Sequence, residues 1–201
     1  MPAHRRIHIK TRVITISREF GSGGRTVGKQ TARLLGIPCY DQEVIEKVAQ
    51  ESGFAKEYIK ERGEYTPYGG WFAQALTGRS AQGTSPQDDL WVIQRKVILD
   101  LAQKPCVIVG RCADYILRDV ADCLKVFIYA DMEKRAERIV KLYGETSEAP
   151  IKRLKDKEKR RAAYYNFYTD TQWGSVHSYH IALDSGVLGI EKCSEIIAGL
   201  Y

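Results

Sequence analysis

The feature that most limits how this chain can fold is a short β-branched run, residues 13–17 (VITIS), passing directly into Arg18-Glu19-Phe20-Gly21-Ser22-Gly23-Gly24-Arg25-Thr26. The run predicts a buried strand. Beyond the glycines, Val27, Leu34 and Leu35 share one side of a helix predicted from Thr26 and stopped by Gly36 and Pro38. A strand, a glycine turn and a helix in succession form an anion cradle. The glycines let successive amides point inward, and the helix N-terminus adds about half a positive charge. Gly21, Ser22, Gly23, Gly24, Arg25 and Thr26 are therefore the candidate phosphate-binding residues. A tight turn using glycine only for its permitted φ is the plainer reading of the same loop.

The context is the one P-loop nucleotide binding requires, and there the Ser or Thr opening the helix reaches the magnesium ion, here Thr26. The strict spacing G-x-x-x-x-G-K-S/T is not met. Aligned on Gly23 and Thr26, the first glycine position holds Arg18 and the lysine position holds Gly24. The nearest basic side chain, Arg25, comes one residue late, about 100° around the helix. Its long fork reaches a phosphate only from another direction.

Further along, residues 38–40 suit a very short strand, with Asp41 at an N-cap position before a helical stretch at 42–51. Residues 63–86 are rich in Gly, Thr, Ser and Pro and read as a loop-rich insertion. Leu90, Ile93, Val97 and Leu101 mark a firm helix. Strands are predicted at 106–109, 124–130 and 179–183. Asp131 caps a helix whose Met132, Ala136, Ile139, Val140 and Tyr143 share a face. A charged, Tyr-rich helix at 147–168 and a closing helix at 188–198 complete the pattern. Near-continuous apolar strands alternating with helices imply an α/β fold, a parallel sheet covered on both faces.

The segment ITISREFGSGGRTVGKQTARLLGIPCYD resembles the start of the cytidylate kinase-like family of P-loop proteins. The likeness continues through VIVGRCADYIL, LKVFIYADMEKRAERI, KDKEKRRAAYYNFYTDTQWG and YHIALDS, in the order a nucleoside monophosphate kinase would have. The resemblance implies a P-loop NTPase-like three-layer fold. It would have five parallel central strands, helices on both faces, phosphates held at the first loop, and a mobile helical lid over 145–174. On this reading residues 13–201 are one kinase-like domain behind a basic tail at 1–12, and 63–86 forms the acceptor lip or a homodimer contact. The activity implied is phosphoryl transfer from ATP, with Mg²⁺, to a small phosphorylated nucleotide of the cytidylate type.

By resemblance Lys157, Arg160 and Arg161 lie in the lid and, with Arg25, are the catalytic candidates. Phosphoryl transfer needs positive donors around the moving group. A solvated, salt-bridged helix face is the alternative. Arg160 and Arg161 cannot point the same way on a helix. Gly110-Arg111 follows the third strand, where ligands sit beyond strand C-termini, so Arg111 is placed to meet an acceptor phosphate. Asp114, three residues later, is placed to orient it, and an ion-paired surface pair is the plainer reading of the two. Asp41 either binds the acceptor nucleotide or a magnesium-bound water, or is only a cap. Tyr164, Tyr165, Phe167 and Tyr168 either stack on a base or pack a helix. His177 and His180 have no catalytic partner in sequence and read as structural or surface residues. No strand ends in an acidic pair, so magnesium follows from the nucleotide rather than from a ligand set.

Composition narrows the alternatives. The formal charge of +6 is unevenly placed: an excess of four basic residues lies in 1–12 and of five in 133–161. That is too modest for a nucleic-acid binder without a reading motif. Five scattered cysteines without C-x-x-C spacing suit a reducing, cytoplasmic compartment and no metal site. No apolar run approaches the ~18–20 residues of a membrane span. The missing lysine keeps a second reading open, a catalytically degenerate nucleotide- or anion-binding regulator on the same fold.

Overall fold

A computed structural model describes residues 9–41, 86–144, 146 and 148–201. The expected helix at 42–51 and nearly all of the 63–86 insertion lie outside them. The elements are β1 (Ile9–Arg18), α1 (Gly24–Leu35), β2 (Cys39–Tyr40), α2 (Pro86–Leu101), β3 (Cys106–Val109), α3 (Ala113–Ile116), β4 (Ala121–Tyr129), α4 (Met132–Tyr143), α5 (Pro150–Tyr168), β5 (Ile181–Asp184) and α6 (Gly189–Gly199). The five strands form one parallel sheet in the order β2-β3-β1-β4-β5. The glycine loop therefore leaves the central strand, beside the turn that leaves β3.

Strand alternation divides the core between the two faces. Val13, Cys106, Ile108 and Cys123 point to one side and pack with Val97, Ile98 and Leu117 of the α2–α3 side. Ile14, Ile16, Val107, Val109, Leu124, Val126 and Ile128 point to the other, against Val27 of α1 and Cys193 and Ile197 of α6. Burial pushes the thiols of Cys106 and Cys123 up to about 12, so both remain protonated, small hydrophobes. A third cluster, Cys112, Tyr164 and Tyr165 with Trp91, Tyr168 and Trp173, seats the end of α5 on the turn after β3. The tyrosines of α5 thus pack the helix.

Several boundaries differ from expectation. β1 begins at Ile9, inside the segment expected as a tail. There Arg12 pairs with Asp122 at 3.5 Å and donates to the Tyr201 carbonyl at 2.9 Å, so it belongs to the sheet. β4 starts earlier than expected because it follows the lengthened β1 in register, Val13 opposite Cys123. β5 starts later, since residues 176–178 form a 3₁₀ turn. His180 then continues the ladder, donating its backbone N–H to the Lys125 carbonyl at 2.8 Å and accepting from Lys125 N at its Nδ1 at 3.2 Å.

The expected apolar face of α4 holds in part: Ile139 is buried and Met132, Ala136 and Val140 are half-buried, while Tyr143 is exposed and Arg135 is buried beside Ile139. Asp131 caps this helix as expected, accepting from Glu133 N at 2.8 Å.

Candidate active site

Between β1 and α1 the chain turns through Gly21 and Gly23, both at φ 80, a left-handed conformation that glycine adopts without strain. Each carbonyl from Arg18 to Gly23 accepts from a donor of the protein. Arg161 Nη1 reaches Arg18 O at 2.6 Å, and Ser22 N and Oγ reach Glu19 O at 3.3 and 2.9 Å. Arg135 Nη1 lies 3.4 Å from Phe20 O, and Arg138 Nη1 lies 2.9 Å from Gly21 O. Ser185 Oγ donates to Ser22 O, and Val27 N to Gly23 O at 3.0 Å. In a trans peptide the N–H points opposite to the carbonyl of the same plane. With the carbonyls of Phe20 and Ser22 held toward α4 and Ser185, the amides of Gly21 and Gly23 face the other way, into the cradle.

Outside the loop lies an ionic brace. Arg135, 4% exposed, places Nε 3.3 Å from Glu19 Oε2 and pairs through Nη1 with Glu158 of α5. Glu19 also accepts from Ala130 N at 3.1 Å. Burial raises the Glu19 pKa above its ordinary value, against the pull of the Ala130 amide and Arg135. One guanidinium thereby joins the glycine loop, α4 and α5.

Inside, three arginines converge. Arg18, Arg111 and Arg161 line one cavity with Ser17, Gly110, Cys112, Tyr164, Tyr165 and Trp173, at the C-terminal ends of β1 and β3. The turn after β3 holds three successive left-handed residues, Gly110, Arg111 and Cys112, at φ 75, 63 and 54. Buried Gln94 of α2 donates Nε2 to Arg111 O at 3.1 Å and lies 3.4 Å from Tyr164 Oη. Asp114, buried, accepts from Tyr165 Oη at 2.6 Å. Burial raises the pKa of Asp114 and, with the adjacent carboxylate, that of Tyr165. Guanidinium groups gathered where water is scarce suit an anion with several oxygens, which takes their hydrogen bonds and offsets their charge.

The structure distributes the sequence candidates unevenly. Gly21 to Thr26 form the loop and the first turn of α1, with Thr26 exposed. Arg25 points elsewhere: its Nε lies 2.6 Å from Asp41 Oδ2, so the two pair with each other. Arg111 and Arg161 are brought together, both buried. Lys157 lies one turn before Arg161 on the same side of α5, half-buried, while Arg160 is exposed and outside the cavity lining. Asp114 acts on the helix Tyr165 belongs to. Among the described residues no group of three or more His, Cys, Asp or Glu is arranged to hold a metal ion. Thr26 offers a single neutral oxygen. That suits magnesium, which takes most of its ligands from phosphate and water.

Sequence reasoning missed Arg18, Gln94 and the Glu19–Arg135–Glu158 brace. Only Arg18 carried a visible signal, a large charged residue where the loop pattern asks for glycine.

The chain matches the Cytidylate kinase-like family over residues 13–187. It is 30% identical over 189 residues to a cytidylate kinase of Archaeoglobus fulgidus, a match covering 92% of this chain and 91% of that protein. A cytidylate kinase of Pyrococcus horikoshii is 27% identical over 159 residues, covering 78% and 71%. Among solved structures, an uncharacterized protein from Eubacterium ventriosum superposes with a TM-score of 0.71 at 26% identity, covering 94% of this chain and 98% of that one. Shikimate kinase from Acinetobacter baumannii shares the fold, with a TM-score of 0.53 at 16% identity over 94% and 92% of the two chains. A five-stranded parallel P-loop kinase fold, a cradle of inward-facing amides and a sequence match across most of its length place this chain in the cytidylate kinase-like family.

Proposed function

We propose that this protein is a nucleotide kinase-like phosphotransferase that moves the γ-phosphoryl group of magnesium-bound ATP to a small phosphorylated acceptor of the cytidylate type. The bond from the γ-phosphorus to the β,γ-bridging oxygen breaks, a bond to an acceptor phosphate oxygen forms, and ADP leaves. The observation that carries the reading is the anchoring of the Phe20, Gly21 and Ser22 carbonyls by Arg135, Arg138 and Ser185, which turns the amides of Gly21 and Gly23 to the other side, where they suit an anion. Such preorganised donors act without reorganising during the reaction.

In this reading the loop and the N-terminus of α1 hold the donor phosphates. The Thr26 hydroxyl would hold magnesium, which would supply charge neutralisation to the phosphates. Arg111 meets the acceptor phosphate beyond β3, and Asp114 steadies that side through Tyr165. α5 is the closing element, with Arg161 on the Arg18 carbonyl and Glu158 on Arg135 as its contacts. Lys157 shares the inward side, and Asp41 with Arg25 forms a charged pair at the end of β2.

Purified protein with Mg·ATP and CMP, dCMP, UMP, AMP or GMP tests this by ADP release. Turnover of at least one acceptor is expected, and Arg111→Ala should lower its kcat/KM by about a hundredfold. No turnover above background across all five would remove the kinase reading. Gly24, where a lysine is expected, supports a second reading, a nucleotide-binding regulator. That chain would bind Mg·ATP in calorimetry and release no ADP with any acceptor.

A further inference from the structure

The two departures from the loop pattern, Arg18 and Gly24, meet in space. A Cβ built on Gly24 would lie 2.5 Å from Arg18 Cβ and 2.9 Å from Arg18 Cγ. The stem of Arg18 therefore fills the volume into which a side chain at position 24 would grow. At its other end, a Cβ on Gly110 would lie 1.9 Å from Arg18 Nη1 and 2.8 Å from Cζ. Gly110 stands at φ 75, so the backbone conformation and the close approach both demand glycine there. Arg18 thus runs through a channel formed by two missing side chains, from the first turn of α1 to the end of β3. Its guanidinium ends at the cavity shared with Arg111 and Arg161.

A lysine at position 24 and an arginine at position 18 exclude each other sterically, and Arg18 brings its cation to the cavity at the ends of β1 and β3, beside Arg111. The other basic candidate, Arg25, is held by Asp41 at 2.6 Å and does not line the cavity. We propose that Arg18 is the catalytic residue that replaces the absent lysine. Its guanidinium donates hydrogen bonds to the γ-phosphoryl oxygens of ATP as the bond to the β,γ-bridging oxygen breaks and the bond to the acceptor oxygen forms. No proton leaves the arginine. The planar fork offers two parallel donors where an ammonium offers a point charge. This role rests on the phosphotransfer reading above.

The test compares calorimetric affinities for Mg·ADP and for the β,γ-imido analogue of ATP, which differ in the γ-phosphoryl group and the imido bridge that carries it. Arg18→Met keeps the stem that packs on Gly24 and removes the charge. It is expected to lose about ten- to a hundredfold in affinity for the analogue. Affinity for ADP should change less than about threefold. In the double variant Arg18→Gly with Gly24→Lys, the wild-type ratio of the two affinities should return to within about threefold. A folded Arg18→Met chain that keeps the wild-type ratio overturns the role of Arg18 and leaves the kinase reading standing. If Arg18→Met does not fold, the double variant decides: folded but without preference for the analogue, it overturns the equivalence of Arg18 and the lysine. A wild-type chain that binds neither nucleotide overturns the phosphotransfer reading and this role with it.

Discussion

Two turns meet at the candidate site, and they are built on opposite principles. The loop after β1 puts its left-handed residues on glycines, Gly21 and Gly23, so its backbone is relaxed. It is held from outside by side chains, two of them arginines of α4 that reach the Phe20 and Gly21 carbonyls. The turn after β3 continues the left-handed conformation from Gly110 onto Arg111 and Cys112, which do carry a Cβ. Each such residue costs about 1–2 kcal/mol. That strain is held by Gln94 on the Arg111 carbonyl and by packing of Cys112 against Tyr164 and Tyr165. The first turn spends its side-chain contacts on presenting backbone amides. The second strains its backbone to present one side chain, Arg111. α5 reaches both, the first through Arg161 on Arg18 O and through Glu158 by way of Arg135, the second through Tyr164 and Tyr165.

The comparison breaks most visibly at Arg135. In Arg135→Ala the carboxylates of Glu19 and Glu158 lose the cation between them, and Phe20 O loses a donor. Removing one partner of a buried pair costs about 3–5 kcal/mol. With Glu19 24% and Glu158 18% exposed, about 2–3 kcal/mol is expected here. For a chain of this size that lowers the melting temperature by roughly 5–10 °C. Affinity for Mg·ADP should fall with it, since the loop loses its outer support. A variant that melts within about 1 °C of wild type would show that the loop needs no brace.

The second turn answers to Gln94. Gln94→Leu fills similar volume but withdraws the Nε2 donor from Arg111 O, a loss of about 1–2 kcal/mol. If the two turns serve different substrates, the acceptor KM should rise several-fold while affinity for Mg·ADP stays within about twofold. Equal losses on both sides would mean that the turns act as one unit.

How much of this was legible depended on whether a residue's partner was near in sequence. The strands announced themselves by β-branched runs, and helix ends by Gly36, Pro38 and the Asp131 cap. On α4 the apolar pattern marks Ile139 but not Arg135, which is buried where an apolar residue is expected. Its partners, Glu19 and Glu158, come from the first loop and from α5, so no local pattern marks it. Gln94 likewise sits inside a helix predicted from Leu90, Ile93, Val97 and Leu101, and only the fold shows it 2% exposed beneath Arg111. Asp41 reads from sequence as a cap or a ligand; its carboxylate meets Arg25, and the helix it would cap lies outside the described residues. The displaced charge at Arg18 was visible as a broken rule. Its path was not, because the channel is formed by Gly24 and Gly110, one from each turn.

The smallest expected effect separates the turns by pH. Asp114 is buried beside the strained turn, and burial lifts its pKa above the ordinary 3.8, with Tyr165 donating to it as a weaker opposing influence. A carboxyl whose folded pKa is raised keeps its proton in the folded chain at a pH where the unfolded chain has released it. Its contribution to stability is therefore complete below 3.8 and is lost as the pH rises through the folded value. Asp114→Asn retains an oxygen to accept from Tyr165 and does not titrate. As the pH rises above the ordinary 3.8, wild type should lose stability relative to this variant and should melt below it once Asp114 is ionised. Glu19, also raised by burial, gives a slope of the same sign in both chains, so the difference between the two pH profiles isolates Asp114. Parallel profiles would mean that Asp114 meets the same environment folded and unfolded, and that the charge sensitivity of the site lies wholly on the glycine-loop side.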